Sequence, residues 1–147
     1  MPSEKELKLL THLRLNSREK LTEISKETHI PISTLFDMLN ELQGTAIFRN
    51  TVLLNFSHLG YHTRAQIFLK VPSDKKDELR KHLSCHNNVN TVCKINNGWD
   101  FIAETVHKNI KELDEFLDIL TQKFKVEQKE IHYLIEDVKR EGFGMGS

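Results

Sequence analysis

"HIPISTLFDMLNEL", residues 29–42, decides how the chain is read. From Ser33 to Leu42 it sets Leu35, Met38, Leu39 and Leu42 in one stripe at helical spacing. Pro31 has no amide hydrogen and fits only near the start of a helix, so it fixes where this one begins. Upstream, "NSREKLTEISKE" (16–27) predicts a helix over roughly 18–28, after Ser17, that buries Leu21 and Ile24. Ser3 is placed to cap a first helix with Leu7, Leu10 and Leu13 on its stripe. Three helices with the short turn "THIPI" before the last are the helix-turn-helix layout. The last helix turns Ser33, Thr34, Asp37, Asn40 and Glu41 outward, with Phe36 on the rim. That face has two carboxylates and no base.

After Gly44 the pattern changes. "AIFRNTVLLNF" (46–56) has two β-prone pieces around Arg49-Asn50, the size of a short wing, and "SHLGYHT" (57–63) leads onward. "RAQIFLKV" (64–71) reads as a strand, Ser73 to His86 as a helix, and "VNTVCKI" (89–95) and "WDFIAETV" (99–106) as two strands. Asn96-Asn97-Gly98 between these strands is a hairpin signal. A helix over 109–124 and a strand over 129–138 complete the order βαββαβ. The fold class is therefore α+β, a winged helix-turn-helix followed by a ferredoxin-like domain. The divisions expected are 1–57 for the first domain, 58–63 for a linker, 64–141 for the second domain and 142–147 for a flexible tail.

A ferredoxin-like sheet carries both helices on one face and leaves the other open. Alternation assigns Ala65, Ile67, Leu69 and Val71 to the helix side, with Phe101, Ala103 and Thr105 and with Ile131, Tyr133 and Ile135. Phe68, Val92, Ile102, Val106 and Leu134 would lie on the open face, a patch that soluble monomers rarely expose. Face-to-face pairing of two copies covers it; a solvated face with stray apolar residues is the alternative.

Charge narrows the partners. Lys plus Arg and Asp plus Glu both number 21 in 147 residues, so bulk electrostatics announces neither a nucleic acid nor a membrane surface. No apolar run is long enough for a membrane span, and Met1 to Leu15 is too charged for a signal segment, so the expectation is a cytoplasmic protein. Cys85 and Cys93 are too few for a disulfide framework and lack the paired spacing of a zinc site.

The anchors "NSREKLTEISKE" and "IPISTLFDMLNEL" (30–42), "HLGY" (58–61) and "INNGWDFIAETV" (95–106) together resemble the Lrp/AsnC family of feast/famine transcription regulators, over almost the whole chain. The resemblance implies a sequence-specific regulator bound to double-stranded DNA. It also implies a homodimer or higher oligomer paired through the second domain, and an amino-acid effector near a protomer contact. The effector loop of that family tends to read Gly-x-x-Asp. Here Asp100 fits the last position, Asn97 holds the first, and the glycine is at 98, so the effector residues implied are Asn97, Gly98, Trp99 and Asp100. The family's recognition helix usually carries Arg or Lys near the positions of Asp37 to Glu41, and this one has none.

On the DNA side, Asn pairs with adenine, carboxylates accept from cytosine N4, and Ser and Thr adapt to either. Ser33, Thr34, Asp37 and Asn40 are thus the base-reading candidates, while Lys20, Lys26 and Arg49 are candidates for phosphate. Residues 1–57 balance seven bases against seven acids, so a monomer would bind weakly and two half-sites on a dimer are needed. That balance keeps open a winged helix serving as a protein-interaction module. His82, Cys85 and His86 share one helix but lack an evident fourth ligand, and no metal or cofactor is expected. A decarboxylase of the haem-biosynthesis type shares the two-part layout. No catalytic triad, phosphate loop or carboxylate pair stands out, so no catalytic residue is expected.

Overall fold

A computed structural model describes residues 1–144. The chain divides into two compact units, Met1–Leu53 with the segment from Val138 onward, and Leu54–Asp137. The last three residues of the expected tail lie outside the described residues.

The first unit holds α1 (Glu4–Leu15), α2 (Leu21–Thr28) and α3 (Ile32–Leu42). Ser3 opens α1 with a capping box: its hydroxyl accepts from the Glu6 amide, and the Glu6 carboxylate accepts from the Ser3 amide. The buried centre of α1 is Leu9, with Leu10 and Leu13 beside it, rather than a stripe begun at Leu7. α2 starts at Leu21, later than Ser17 suggested. The Asn16 side chain accepts from the Arg18 amide and its carbonyl from the Glu19 amide, so 16–19 form a turn instead of a first helical turn. Leu9, Ile24, Ile30, Leu35 and Leu42 close the core. At the end of the described chain, Arg14 donates to the carbonyls of Glu141 (2.6 Å) and Phe143 (2.9 Å), which ties this segment to α1.

The two β-prone pieces after Gly44 form no strand. α3 closes in a tight turn with a single bridge between Gln43 and Ile47, and Phe48, Val52 and Leu53 stay exposed.

The second unit runs β1 (Thr63–Lys70), a 3-10 turn (Ser73–Lys75), α4 (Lys76–Cys85), β2 (Val89–Lys94), β3 (Phe101–His107), α5 (Ile110–Phe124) and β4 (Gln128–Tyr133). All pairings are antiparallel, in the order β2-β3-β1-β4. That is the ferredoxin-like arrangement, with β1 and β3 central because the two αβ crossovers bracket them. β1 alternates strictly between buried and half-buried residues, as a strand covered on one face must. Ala65, Ile67, Leu69 and Phe101 pack against Leu79 and Leu83 of α4 and Leu113, Leu117 and Leu120 of α5. No helix among the described residues is long and apolar enough to cross a membrane.

Three sheet expectations need correction. Val92 packs on the helix side with Val89, because a register shift between Val89 and Thr91 changes the parity of the strand. β4 ends at Tyr133, which pairs with Ala65 on the helix side but stays exposed, and Ile135 lies beyond the strand, exposed.

Candidate nucleic-acid interface and effector loop

The turn between α2 and α3 is held from both sides. His29 takes a left-handed conformation (φ 59°) and donates its amide to the Ser25 carbonyl at 2.8 Å. The Ser25 hydroxyl donates to the Ile30 carbonyl at 2.6 Å, and the Thr28 hydroxyl to the Ile24 carbonyl at 2.7 Å. Pro31 stands at the N-cap of α3, and its carbonyl accepts from the Leu35 amide. With Ile30 buried on one side of the proline and Leu35 on the other, the rotation of α3 is fixed.

That rotation exposes Ser33, Asp37, Asn40 and Glu41, with Thr34 half-buried. It also exposes Ile32 (47%) and Phe36 (55%), so the apolar ring at the rim of the polar face stands in water. Among the predicted phosphate contacts, Lys26 is paired with Glu23 at 3.4 Å, a solvent-exposed pair of little strength. Lys20 is the N-cap of α2, where no side chain caps the first amides. Arg49 is exposed beyond α3. The base-reading candidates thus share one helix face, whereas the three bases lie at three separate places along the first unit.

The sequence places His12 on the flank of α1, with Lys5 and Lys8, and marks no role for it. Its Nδ1 lies 3.2 Å from the Glu19 carboxylate and its Nε2 3.6 Å from that of Glu27. The two ring nitrogens point to opposite edges, so the imidazole bridges two carboxylates. Among the described residues, this is the group whose ligand atoms come within 4.8 Å of one another, and His82, Cys85 and His86 do not. Those three instead line an open cleft of about 520 Å³ with Lys123 and Phe124, and the two cysteines are free and exposed.

At the hairpin, Asn97 (φ 63°) and Gly98 (φ 91°) both lie in the left-handed region, the pattern of a type I′ turn. The Asp100 carboxylate accepts from the Val71 amide at 2.9 Å and pairs with Lys76 at 3.3 Å. Trp99 folds back on Phe68, ring centroids 5.7 Å apart, and Phe68 in turn meets His132 at 5.9 Å. The turn and the open sheet face are therefore continuous through Trp99. That face carries half-buried Phe68, Ile102 and Leu134, with Val106 buried. Beside them Arg64 pairs with Glu104 (2.5 Å) and Asp137 (2.9 Å), and its guanidinium lies over the Phe56 ring.

Behind β3, His107 is buried at 2% exposure and its Nε2 has no hydrogen-bond partner among the described residues. Burial pushes its pKa down, and Glu112 and His86 act in opposite senses on it. Burial lowers His82 as well, helped by Lys123 and His86, and lowers His86.

The fold defines a class: a helix-turn-helix unit followed by a ferredoxin-like domain. Solved structures of that class match nearly the whole chain. A transcriptional regulator of Neisseria meningitidis in complex with L-methionine superposes with a TM-score of 0.87 at 14% identity, over 95% of this chain and 94% of that one. LrpC of B. subtilis gives 0.85 at 11% identity, over 95% and 98%. By sequence, an uncharacterised HTH-type transcriptional regulator of Pyrococcus abyssi is 24% identical over 142 residues, 96% of this chain and 97% of that protein. A second HTH-type transcriptional regulator of the same organism is 28% identical over 114 residues, 77% and 76% of the two chains. No family model matches. The chain is a relative of HTH-type transcriptional regulators and has the fold of the Lrp/AsnC regulators.

Proposed function

We propose that the chain is a sequence-specific transcription regulator that reads duplex DNA with α3. It pairs with a second copy through the open sheet face and answers a small effector, such as an amino acid, at the Asn97–Asp100 turn. The observation that carries this is the orientation of α3: its apolar stripe is buried against α2, and Ser33, Asp37 and Asn40 are presented outward after a braced turn. Residues 1–57 hold the DNA-reading half and the sheet domain from residue 64 the pairing and effector half, joined through 58–63.

The phosphates are met away from α3. The uncapped amides at the start of α2, with Lys20 beside them, suit a phosphate, and Lys26 and Arg49 add charge. The effector reading draws support from the Neisseria protein's complex with L-methionine. It also draws on the aromatic wall of Trp99 and Phe68 next to Asp100.

A module that binds protein instead of DNA is the second reading, favoured by the equal count of acids and bases in residues 1–57. Capture of genomic DNA fragments by the purified protein at low salt separates the two. Enrichment of a discrete set of fragments is expected. Failure to retain DNA even at the lowest salt would leave the interaction module.

A further inference from the structure

We infer that Phe36 is a base-reading residue whose ring packs on the 5-methyl group of thymine, with Asn40 one turn on reading adenine. The inference rests on the DNA reading of α3 and goes beyond it by naming what the helix selects.

At 100° per residue, Phe36, Asn40, Ser33 and Asp37 fall within an arc of about 100° on α3, opposite the stripe of Leu35, Met38, Leu39 and Leu42. The core has no need of Phe36. Leu35 is fully buried and Leu42 nearly so, and they close on Leu9 and Ile24 without it. Phe36 is left 55% exposed beside Ser33, Asp37 and Asn40, and Ile32 stands exposed one turn before it.

The major groove offers one apolar feature, the thymine methyl, and phenylalanine is among the side chains that contact it. Guanine is read chiefly by a bidentate Arg or Lys at O6 and N7, and α3 has neither. A helix bearing Asp37 and Glu41 does not draw phosphates toward itself, so its discrimination must come from short-range contacts. Apolar packing on a methyl and an amide pair to adenine are two such contacts that these residues supply. The selected half-site therefore contains T·A and A·T pairs under α3.

The test starts from sites enriched by the full-length protein from a random duplex pool. Each thymine of the enriched half-site is replaced, one at a time, by deoxyuridine, which lacks only the methyl. At one or two positions affinity should fall about three- to fivefold, the value of burying one methylene-sized group. In Phe36→Ala that uridine penalty should vanish while circular dichroism stays unchanged, the ring being outside the core. A half-site indifferent to uridine throughout, or a penalty that survives in Phe36→Ala, overturns the inference and leaves the DNA reading standing. A pool that never enriches overturns both. A flat uridine series on the unaltered protein overturns the inference by itself, whatever the variant does.

Discussion

The Asp100 carboxylate accepts a hydrogen bond from the Val71 amide at 2.9 Å, fastening the start of β3 to the end of β1, while Lys76 of α4 pairs with its other oxygen. This carboxylate therefore has structural work whether or not an effector reaches it. Asp100→Ala strands a part-buried amide, a loss of about 1–3 kcal/mol, or a drop in Tm on the order of 5–15 °C for a domain of this size. Asp100→Asn keeps an acceptor for Val71 and should recover most of that loss. Thermal shift with each amino acid should find one that raises Tm, as selective binding to the folded state requires. Asp100→Asn, not the alanine variant, is the proper control. A ligand shift that survives in Asp100→Asn would place the effector's contacts elsewhere.

Pairing through the open sheet face predicts a scattering mass at least twice the 17.2 kDa of the chain at micromolar concentration. Phe68 is the central probe. It lies across from Ile102 and touches both Trp99 and His132. Phe68→Lys sets an ammonium into that apolar patch, a burial that is costly unless paired, and should yield monomer with its circular dichroism intact. A monomeric parent protein would remove both the interface and the two half-sites.

Stability of the sheet domain should fall with acid, with His107 as the clearest contributor. Its folded pKa lies below the ordinary 6.5, chiefly through burial, with Glu112 opposing and His86 adding to the shift. The unfolded chain then takes up the proton first as pH drops through about 6.5. Stability is full above that value and is lost below it, until the folded pKa is reached. The slope is at most about 1.4 kcal/mol per pH unit for each such histidine. His82 and His86 are lowered in the same direction and add to it. Urea midpoints at pH 7.5, 6.5 and 5.5 should decline in that order. His107→Phe, which fills the site beside Phe116 and removes an unpartnered nitrogen, should flatten the decline. An equal decline in that variant would assign the effect to other groups.

What the sequence revealed follows from how local each signal is. β1 shows its period of two in adjacent residues, and Asn97-Gly98 encodes its turn in two φ angles. Pro31 and the leucine stripe carry α3 within one segment. Strict alternation puts Val92 on the open face, but one irregularity between Val89 and Thr91 reverses the parity of everything after it, and no residue type announces that shift. The leucines at 7, 9, 10 and 13 admit more than one helical phase, and only packing against Ile24 and Leu35 selects Leu9. His12 meets Glu19 and Glu27, and Arg64 meets Glu104 and Asp137, only after the elements between them have folded. The exposure of Phe36 is likewise a matter of helix rotation, which a stripe fixes only to within one side chain.

The acidic face of α3 gives the sharpest test of whether this helix reads DNA. Asp37 and Glu41 are both exposed there, so they must repel phosphate and hold down affinity for random sequence. Binding to random DNA should therefore be weak and carried by bases outside α3. Replacing Asp37 and Glu41 by Lys should tighten random-sequence binding and steepen its salt dependence, by up to about 0.9 log-log unit for each new phosphate contact. Discrimination between specific and random DNA should fall in the same variant, because phosphate contacts carry no sequence information. Lys26→Ala or Arg49→Ala should shallow the salt slope. Lys26 should change it less than a free lysine would, since it is already paired with Glu23. If the double lysine variant binds random DNA no better than the parent at every salt concentration, α3 does not face the duplex. The exposed Phe36 and Ile32 would then belong to a protein contact.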